Sequence, residues 1–272
     1  MMNKKALFID LDGTFLDDDK QVPEANAAAV QRMLDAGHSV IISTGRPLSS
    51  AVIQAERIGL TSPGCYLIAY NGGILYDTYA RKIIYKSTIP LDVVLPVFAE
   101  ANRRGLHLQT YDETEVLVEP RCVDEELALY CSRILIGYKV IPDIRELTEE
   151  PVKMLAIHLN DRETLEEFRR WIAVECGDSL DTFFSNDQYV EIVRKGLNKG
   201  NALKQMAELI GVSLENTVAA GDEANDTTLL QAAHIGAAMC NGCEETKAAA
   251  DYITQRNNNE GGVAEIIEKF IL

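Results

Sequence analysis

The chain has 272 residues, enough for a large core and more than one domain of typical size requires. Its 26 basic and 42 acidic residues give a net charge of -16, which would repel nucleic acid and anionic membranes and argues against both as partners. Hydrophobic residues make up 47% of the chain, yet no apolar run approaches the roughly 20 residues that a membrane span needs.

The first predicted element is a short apolar run at residues 6–9, followed by Asp-Leu-Asp-Gly-Thr at 10–14. This pattern predicts a buried strand that ends in a turn. Alternate strand residues face the same way, so we expect Asp10 and Asp12 to point together from the carboxyl end, where open parallel sheets bind ligands. Two like charges there need a cation or a shared proton. A plain Asp-Gly turn with a solvated second aspartate is the alternative.

The next segment, residues 15–21, contains three consecutive aspartates and predicts a solvated loop or flap rather than a metal site. A helix is expected from Pro23 to Gly37, and a buried strand over 39–43 follows it. Strand, helix and strand imply a parallel pair, which brings Thr44 to the same sheet edge as the two aspartates. There its hydroxyl and the adjoining backbone N–H groups could hold an anion.

The pattern changes near residue 86, after a third strand over 66–70 and the turn and short strand over 71–76. Hairpin-like strand pairs mixed with helices then predict an α+β module over 86–190. We therefore expect an α/β fold: a doubly wound, mostly parallel, Rossmann-like sheet core formed by 1–85 and 191–272, with this module inserted. Four polar side chains of the module are interpreted as structural rather than substrate-binding: His107, Tyr111, Arg121 and His158.

The doubly wound pattern resumes at Lys199 and Gly200, which precede a predicted helix over 201–210. A strand over 217–220 then ends in Gly-Asp-Glu-Ala-Asn-Asp at 221–226. Short strands over 235–239 and 252–254 and a closing helix over 263–270 complete the pattern. Polar residues from four separate segments thus converge on one predicted sheet edge: Asp10 with Asp12, Thr44, Lys199, and Asp222 with Asn225 and Asp226.

In this order of motifs the chain resembles the haloacid dehalogenase-like hydrolases, specifically the Cof-type phosphatases with a large inserted cap domain. The matching sequences are Asp-Leu-Asp-Gly-Thr at 10–14, Ser-Thr-Gly-Arg at 43–46, Asn-Gly-Gly at 71–73, Lys-Gly at 199–200, Gly-Asp-x-x-Asn-Asp at 221–226, Met-Cys-Asn at 239–241 and Asn-Glu-Gly-Gly-Val-Ala at 259–264. The similarity spans nearly the whole chain. Two positions depart from the family pattern: Cys240 replaces a usual glycine and Gly73 a frequent alanine.

The resemblance implies a phosphatase that acts on small phosphorylated metabolites, with sugar phosphates as the expected class, through an aspartyl-phosphate. Asp10 would be the nucleophile. Asp12 would protonate the leaving alcohol and then take a proton from the attacking water. One Mg²⁺ would be held by the Asp10 carboxylate, the Asp12 backbone carbonyl and Asp222, while Asp226 would orient a metal-bound water or Lys199.

The resemblance also implies a set of groups that hold the phosphoryl oxygens: the Leu11 amide, Thr44, the Gly45 amide, Lys199 and Asn225. Without the other motifs, Lys199 would be interpreted as an exposed lysine at the start of a helix. Arg46 fits either a phosphate ligand or a structural ion-pair partner, and we favour the structural role.

Three other functions compete with hydrolysis. A signalling receiver domain also uses an aspartate, a threonine and a lysine, but its acceptor follows the third strand and it lacks an acid/base two residues on. A non-catalytic protein that binds phosphorylated metabolites would have lost a catalytic aspartate. A phosphomutase would form the same intermediate and transfer the phosphoryl group to a sugar instead of water.

The six cysteines do not make a disulfide scaffold in a chain of this size. Cys240 and Cys243 have the spacing of half a zinc site or a redox pair, but without a second pair we interpret them as reduced thiols.

The chain enters a strand within a few residues, too early for a signal peptide, so we expect a cytoplasmic protein. The sequence leaves the oligomeric state open.

Overall fold

The computed structural model describes residues 4–134 and 136–272, which divide into two compact units. The first unit contains the residues up to 45 together with 51–85 and 198–272. The second contains 46–50 and 86–197. The long segment of the second unit begins at residue 86, as the predicted inserted module does, and runs on to 197. The prediction ended the module at 190, inside a strand, and assigned 46–50 to the core.

The strands and helices are numbered along the described chain. The strands are β1 (Ala6–Ile9), β2 (Ser39–Ser43), β3 (Cys65–Ala69), β4 (Ile74–Asp77), β5 (Lys82–Lys86), β6 (His107–Tyr111), β7 (Val116–Val118), β8 (Tyr138–Val140), β9 (Lys153–Ile157), β10 (Leu180–Asn186), β11 (Tyr189–Arg194), β12 (Thr217–Gly221), β13 (Ile235–Ala238) and β14 (Tyr252–Ile253). The helices are α1 (Glu24–Asp35), α2 (Leu48–Arg57), α3 (Leu91–Arg104), α4 (Glu125–Ile134), α5 (Arg162–Glu175), α6 (Lys199–Leu209), α7 (Thr227–Ala232), α8 (Glu244–Ala248) and α9 (Gly262–Phe270).

The sheet of the first unit has the order β14-β13-β12-β1-β2-β3-β4-β5. β1 lies between β12 and β2 and is parallel to both, with Ala6 opposite Thr217 and Ser39. All four residues of β1 are buried, as expected for a parallel strand covered on both faces. The predicted α/β class with a mostly parallel sheet is confirmed. Since parallel strands end at one edge, the residues after β1, β2 and β12 are brought to the same side of the sheet.

The sheet of the second unit has the order β10-β11-β9-β6-β7-β8 and is antiparallel except for the β7–β8 pair. One face packs on α3 and α5 through an apolar cluster that includes Phe98 and Phe168. Gln109, Lys153 and Glu191 occupy positions that alternate with that apolar set, so they belong to the other face. Lys153 and Glu191 form a buried ion pair, with Lys153 Nζ 2.7 Å from Glu191 Oε2.

The four polar side chains of the inserted module that were interpreted as structural all have partners within the second unit. His107 Nδ1 lies 2.7 Å from Asp124 Oδ2, and the Tyr111 hydroxyl donates to the Tyr130 hydroxyl at 2.6 Å. An Arg121 guanidinium N–H donates to the backbone carbonyl of Leu106, and His158 Nδ1 accepts from the backbone N–H of Asp161.

Two strands are absent from the sequence prediction. β5 falls where the prediction changes from core to inserted module, and β8 has three exposed residues without alternation. The pairing of β8 with β7 defines it, and a strand of this kind has no periodicity of its own to recognise. In the described part of the chain, no helix combines the length and apolar character that crossing a membrane requires.

Candidate active site

A buried lysine joins two carboxylates at the carboxyl edge of the first sheet. Asp10 follows β1, Lys199 begins α6, and Asp226 precedes α7. Lys199 Nζ lies 2.6 Å from Asp10 Oδ1 and 2.6 Å from Asp226 Oδ1, and its side chain is 0% exposed. Burial alone would lower the pKa of Lys199, but the charges of the two carboxylates outweigh it and raise that pKa above its usual value. Lys199 is therefore a fixed cation.

Local sequence explains how Lys199 reaches this position. The Asn198 side chain caps α6 by accepting from the backbone N–H of Asn201 at 2.8 Å. Gly200 lies against α7, because a Cβ there would be 2.2 Å from the backbone oxygen of Thr228. The glycine thus allows α6 and α7 to approach closely, and the ammonium group of Lys199 ends between Asp10 and Asp226.

Asp222 is held against the turn that follows β1. Its Oδ1 accepts a hydrogen bond from Thr14 Oγ1 at 2.7 Å. Gly13 has a φ of +79°, and a Cβ at this residue would lie 2.1 Å from Asp222 Oδ2. Glycine is required here both for its backbone conformation and for the space it leaves. Burial raises the pKa of Asp222 to about 6.

These side chains form a cluster that can bind a divalent metal. Carboxylate oxygens of Asp10, Asp222 and Asp226 all lie within 4.8 Å of one another. The three carboxylates face one ammonium group, and burial raises the pKa of Asp10 well above its usual range despite the opposing charge of Lys199. A proton or a cation must relieve this excess negative charge. An all-oxygen donor set suits a hard divalent cation, so the residues present fit such an ion.

Asp12 lies apart from this cluster. Its side chain is 42% exposed, and its Oδ1 lies 2.9 Å from Lys20 Nζ. The expectation that Asp10 and Asp12 point together rested on strand alternation, but β1 ends at Ile9, before either residue. The predicted metal ligand is the Asp12 backbone carbonyl, which does not depend on where the side chain points.

Thr44 and Gly45 follow β2, next to β1. The Thr44 backbone N–H donates to Ile68 and its carbonyl accepts from Asn71, at 2.8 and 3.0 Å. Asn71 has a φ of 55° and lies beside Gly45, where a Cβ would be 3.1 Å from its carboxamide. Among the described residues, none donates to the buried Asn71 Oδ1. The sequence identified Asn71 as part of a motif but did not indicate this position.

The other predicted phosphate-binding groups are on the neighbouring turns. Leu11 is fully buried, and its carbonyl closes the turn by accepting from the backbone N–H groups of Phe15 and Leu16. Asn225 is exposed and lies in the short 3-10 segment after β12. The topology therefore places the predicted site residues on the turns after β1, β2 and β12 and at the start of α6, and it brings Asp10, Asp222, Asp226 and Lys199 closest together.

Cys240 is accommodated without strain in the turn after β13. It is not among the residues with positive φ, so this position does not need the glycine usual in relatives. The neighbouring Asn241 donates from Nδ2 to the Gly13 carbonyl at 2.8 Å, and the Cys243 backbone N–H donates to the Asp222 carbonyl at 2.8 Å. All six cysteines are free thiols.

The sequence profile of the haloacid dehalogenase-like hydrolases matches residues 7–267. The chain belongs to this family. The resemblance to its Cof-type phosphatases, predicted from the motifs, is confirmed.

Two relatives and one solved structure agree with this assignment. The 5-amino-6-(5-phospho-D-ribitylamino)uracil phosphatase YitU of Bacillus subtilis is 29% identical over 271 residues, covering 96% of both chains. The pyridoxal phosphate phosphatase YbhA of Escherichia coli is 28% identical over 284 residues, covering 100% of both. A haloacid dehalogenase-like hydrolase of Bacteroides thetaiotaomicron has a crystal structure that matches with a TM-score of 0.88 at 28% identity, covering 98% of this chain and 99% of that one. The chain is a phosphatase of the haloacid dehalogenase-like family.

Proposed function

We propose that this phosphatase hydrolyses small phosphorylated metabolites with Mg²⁺, through an aspartyl-phosphate formed on Asp10. The observation that carries the proposal is the setting of the Asp10 carboxylate. It lies at the tip of the central strand, 2.6 Å from a buried lysine ammonium and within 4.8 Å of two further carboxylates. Phosphoryl transfer depends mainly on positioning and charge neutralisation, which this setting provides.

In the first step, an Asp10 carboxylate oxygen attacks phosphorus in line, and the bond from phosphorus to the substrate oxygen breaks. Asp12 gives its proton to that leaving oxygen, so the product is a neutral alcohol. In the second step, water attacks the phosphorus of the aspartyl-phosphate and Asp12 accepts the water proton. The acyl phosphate bond breaks, which returns the Asp10 carboxylate and releases inorganic phosphate.

The proposed metal ligands are the Asp10 carboxylate, the Asp12 backbone carbonyl and the Asp222 carboxylate. When bound, Mg²⁺ neutralises charge on the transferring phosphoryl group. Thr14 holds Asp222 by its 2.7 Å hydrogen bond, and Lys199 holds Asp10 at 2.6 Å, so both ligand carboxylates are held in place by protein groups. Asp226, which also accepts from Lys199, would orient that lysine or a metal-bound water.

The proposed holders of the phosphoryl oxygens are the side chains of Thr44, Lys199 and Asn225 and the amides of Leu11 and Gly45. Their positions after β1, β2 and β12 and at the start of α6 support this role. Lys199 supplies buried positive charge in a protein whose net charge is -16.

The proposed substrates are phosphate monoesters of small metabolites, sugar phosphates among them. YitU is a phosphatase of 5-amino-6-(5-phospho-D-ribitylamino)uracil and YbhA a phosphatase of pyridoxal phosphate, so relatives of this chain act on small phosphorylated metabolites. We propose that the inserted cap domain, residues 86–190, selects among them.

The test is phosphate release from a panel that includes a ribityl phosphate, pyridoxal phosphate and several sugar phosphates, with Mg²⁺ and with excess EDTA. We expect release that needs Mg²⁺ and is abolished in Asp10→Asn, because the isosteric amide cannot act as the nucleophile. Asp19→Asn, which changes an exposed carboxyl of the flap, is the matched control and should keep full activity.

Other outcomes would identify the competing functions. Normal turnover by Asp10→Asn would contradict the mechanism. Phosphoryl transfer to an added sugar phosphate without release of inorganic phosphate would favour the phosphomutase. No reaction with any ester, by folded protein supplied with Mg²⁺, would favour a binding protein.

A further inference from the structure

The flap, residues 15–21, is attached to the first unit by a clamp of asparagine side chains. Asp18 Oδ1 accepts from Asn258 Nδ2 at 3.0 Å, and Asp18 Oδ2 accepts from Asn259 Nδ2 at 3.2 Å. The Asp18 backbone N–H donates to Asn259 Oδ1 at 3.0 Å. The hydrogen bond from Asn258 lowers the pKa of Asp18 most, and the one from Asn259 lowers it further. Asp18 therefore accepts both hydrogen bonds as a carboxylate at neutral pH. The flap is therefore fixed at its exposed tip.

The same clamp continues to the turn that carries the aspartates. Asn258 Nδ2 also donates to the Leu16 carbonyl at 3.1 Å, and the Asn258 backbone N–H donates to Asn241 Oδ1 at 3.1 Å. Asn241 in turn donates to the Gly13 carbonyl at 2.8 Å. One network of amide side chains thus sets the flap and residues 10–14 relative to each other.

The flap holds Lys20 in an unusual backbone conformation. The Asp17 backbone N–H donates to the Gln21 carbonyl at 2.8 Å, and the Lys20 N–H donates to the Asp17 carbonyl at 3.0 Å. Lys20 has a φ of 60°, in the left-handed region that few residues other than glycine adopt. The side chain that leaves this turn ends with Nζ 2.9 Å from Asp12 Oδ1.

We propose that Lys20 is a positioning residue for Asp12, which it holds by Oδ1 so that the other oxygen, Oδ2, carries the proton exchanged with the leaving group and water. This inference rests on the acid/base role proposed for Asp12. An ammonium N–H can donate to Oδ1 whether Asp12 is ionised or protonated, so this hydrogen bond persists through both steps of the proposed reaction. The flap thereby orients the acid rather than only covering the site.

The expected loss of activity without Lys20 follows from how exposed its ion pair with Asp12 is. The side chains of Lys20 and Asp12 are 53% and 42% exposed, and ion pairs of this kind are individually weak. We therefore expect Lys20→Met to lower kcat/KM by about fivefold for an alkyl phosphate, the upper range for an exposed pair. The decrease should be under about twofold for p-nitrophenyl phosphate, because its leaving group needs little protonation.

The experiment compares kcat/KM on glycerol phosphate and on p-nitrophenyl phosphate for wild type, Lys20→Met and Lys20→Arg in saturating Mg²⁺. Lys20→Arg should restore most of the alkyl ester activity, because it keeps a cationic donor. Lys4→Met removes one charge at an exposed position before β1 and should change neither value. Melting temperatures of all variants show that each is folded.

A larger loss on the alkyl ester, reversed in Lys20→Arg, supports the inference. Equal losses on both esters, or no loss in Lys20→Met, would overturn it while leaving the proposed function intact. If the wild type released phosphate from neither ester nor from the metabolite panel, the proposed function would fail, and the role of Lys20 with it.

Discussion

At the scale of single residues, the site depends on how closely Asp222 approaches the backbone of Gly13. The hydrogen bond from Thr14 draws the carboxylate into the turn, and no room remains for a Cβ at Gly13. The glycine of the Asp-x-Asp-Gly-Thr motif thus shapes the site of the carboxylate that we propose as a metal ligand.

This contact predicts the effect of Gly13→Ala. A methyl group 2.1 Å from Asp222 Oδ2 must displace that carboxylate, so we expect Mg²⁺ affinity and phosphatase activity to fall by at least about tenfold. Gly37→Ala is the matched control, since Gly37 has a φ of +84° and nothing within 4 Å of its Cβ position. That control should lose about 1 kcal/mol of stability from backbone strain and no activity. Equal activity in the two variants would contradict the explanation.

Individual residues differ in how far their positions in the site follow from the sequence. Asp10, Asp222 and Lys199 could be predicted to meet, because each follows or precedes an element whose direction the hydrophobic pattern fixes. Lys20 could not, because an exposed lysine after three aspartates has the composition of a solvated loop. Its position depends on Asn258 and Asn259, which come from the far end of the chain.

At the scale of elements, the second sheet contains a buried ion pair that the sequence pattern does not predict. A lysine at the start of a predicted strand normally faces solvent, but Lys153 is 1% exposed and pairs with Glu191 on the neighbouring strand β11. The strand itself was predictable from its apolar run. The burial of Lys153 was not, because it results from which strand lies beside β9.

The ion pair of Lys153 and Glu191 leads to a prediction about stability. Lys153→Met leaves the buried Glu191 carboxylate without its cationic partner and with the hydrogen bond that Ser185 Oγ donates to its Oε1 at 3.0 Å. We expect the free energy of unfolding to fall by about 3–5 kcal/mol. The double variant Lys153→Met with Glu191→Leu should recover most of this loss, because both charges are gone. Lys139→Met, at an exposed position of β8 in the same sheet, should change stability by less than about 0.5 kcal/mol.

Thermal unfolding of these three variants tests the explanation. A single variant as stable as Lys139→Met would mean that Glu191 finds another partner or solvent. A double variant no more stable than the single one would mean that the unpaired charge of Glu191 is not what destabilises Lys153→Met.

At the scale of the whole molecule, the excess of buried carboxylates links stability to pH and metal. The folded protein raises the pKa of Asp222 from 3.8 to about 6, so the folded state binds a proton that the unfolded state has already lost. Stability without metal should therefore fall as pH rises from about 4 to 6 and stay lower above that range. The contribution of Asp222 is on the order of 3 kcal/mol.

Melting temperatures in EDTA between pH 5 and 8 test this link. We expect Asp222→Asn to be more stable than the wild type at pH 7 in EDTA, because the neutral amide removes a buried charge. The advantage should shrink as pH falls through 6. Added Mg²⁺ should stabilise the wild type, less so at pH 5 where protons compete for Asp222, and should have little effect on the variant. An Asp222→Asn protein that is less stable at every pH would contradict the link.

The central position of β1 also has a consequence for how the protein is made. Its partner β12 is separated from it in sequence by most of the chain, since Ala6 pairs with Thr217. During synthesis, residues 86–197 leave the ribosome before β12 exists, so the second sheet can form while β1 still has one open, fully apolar edge. Nascent chains that stop short of β12 should therefore expose this edge and aggregate, whereas chains that extend past β13 should not.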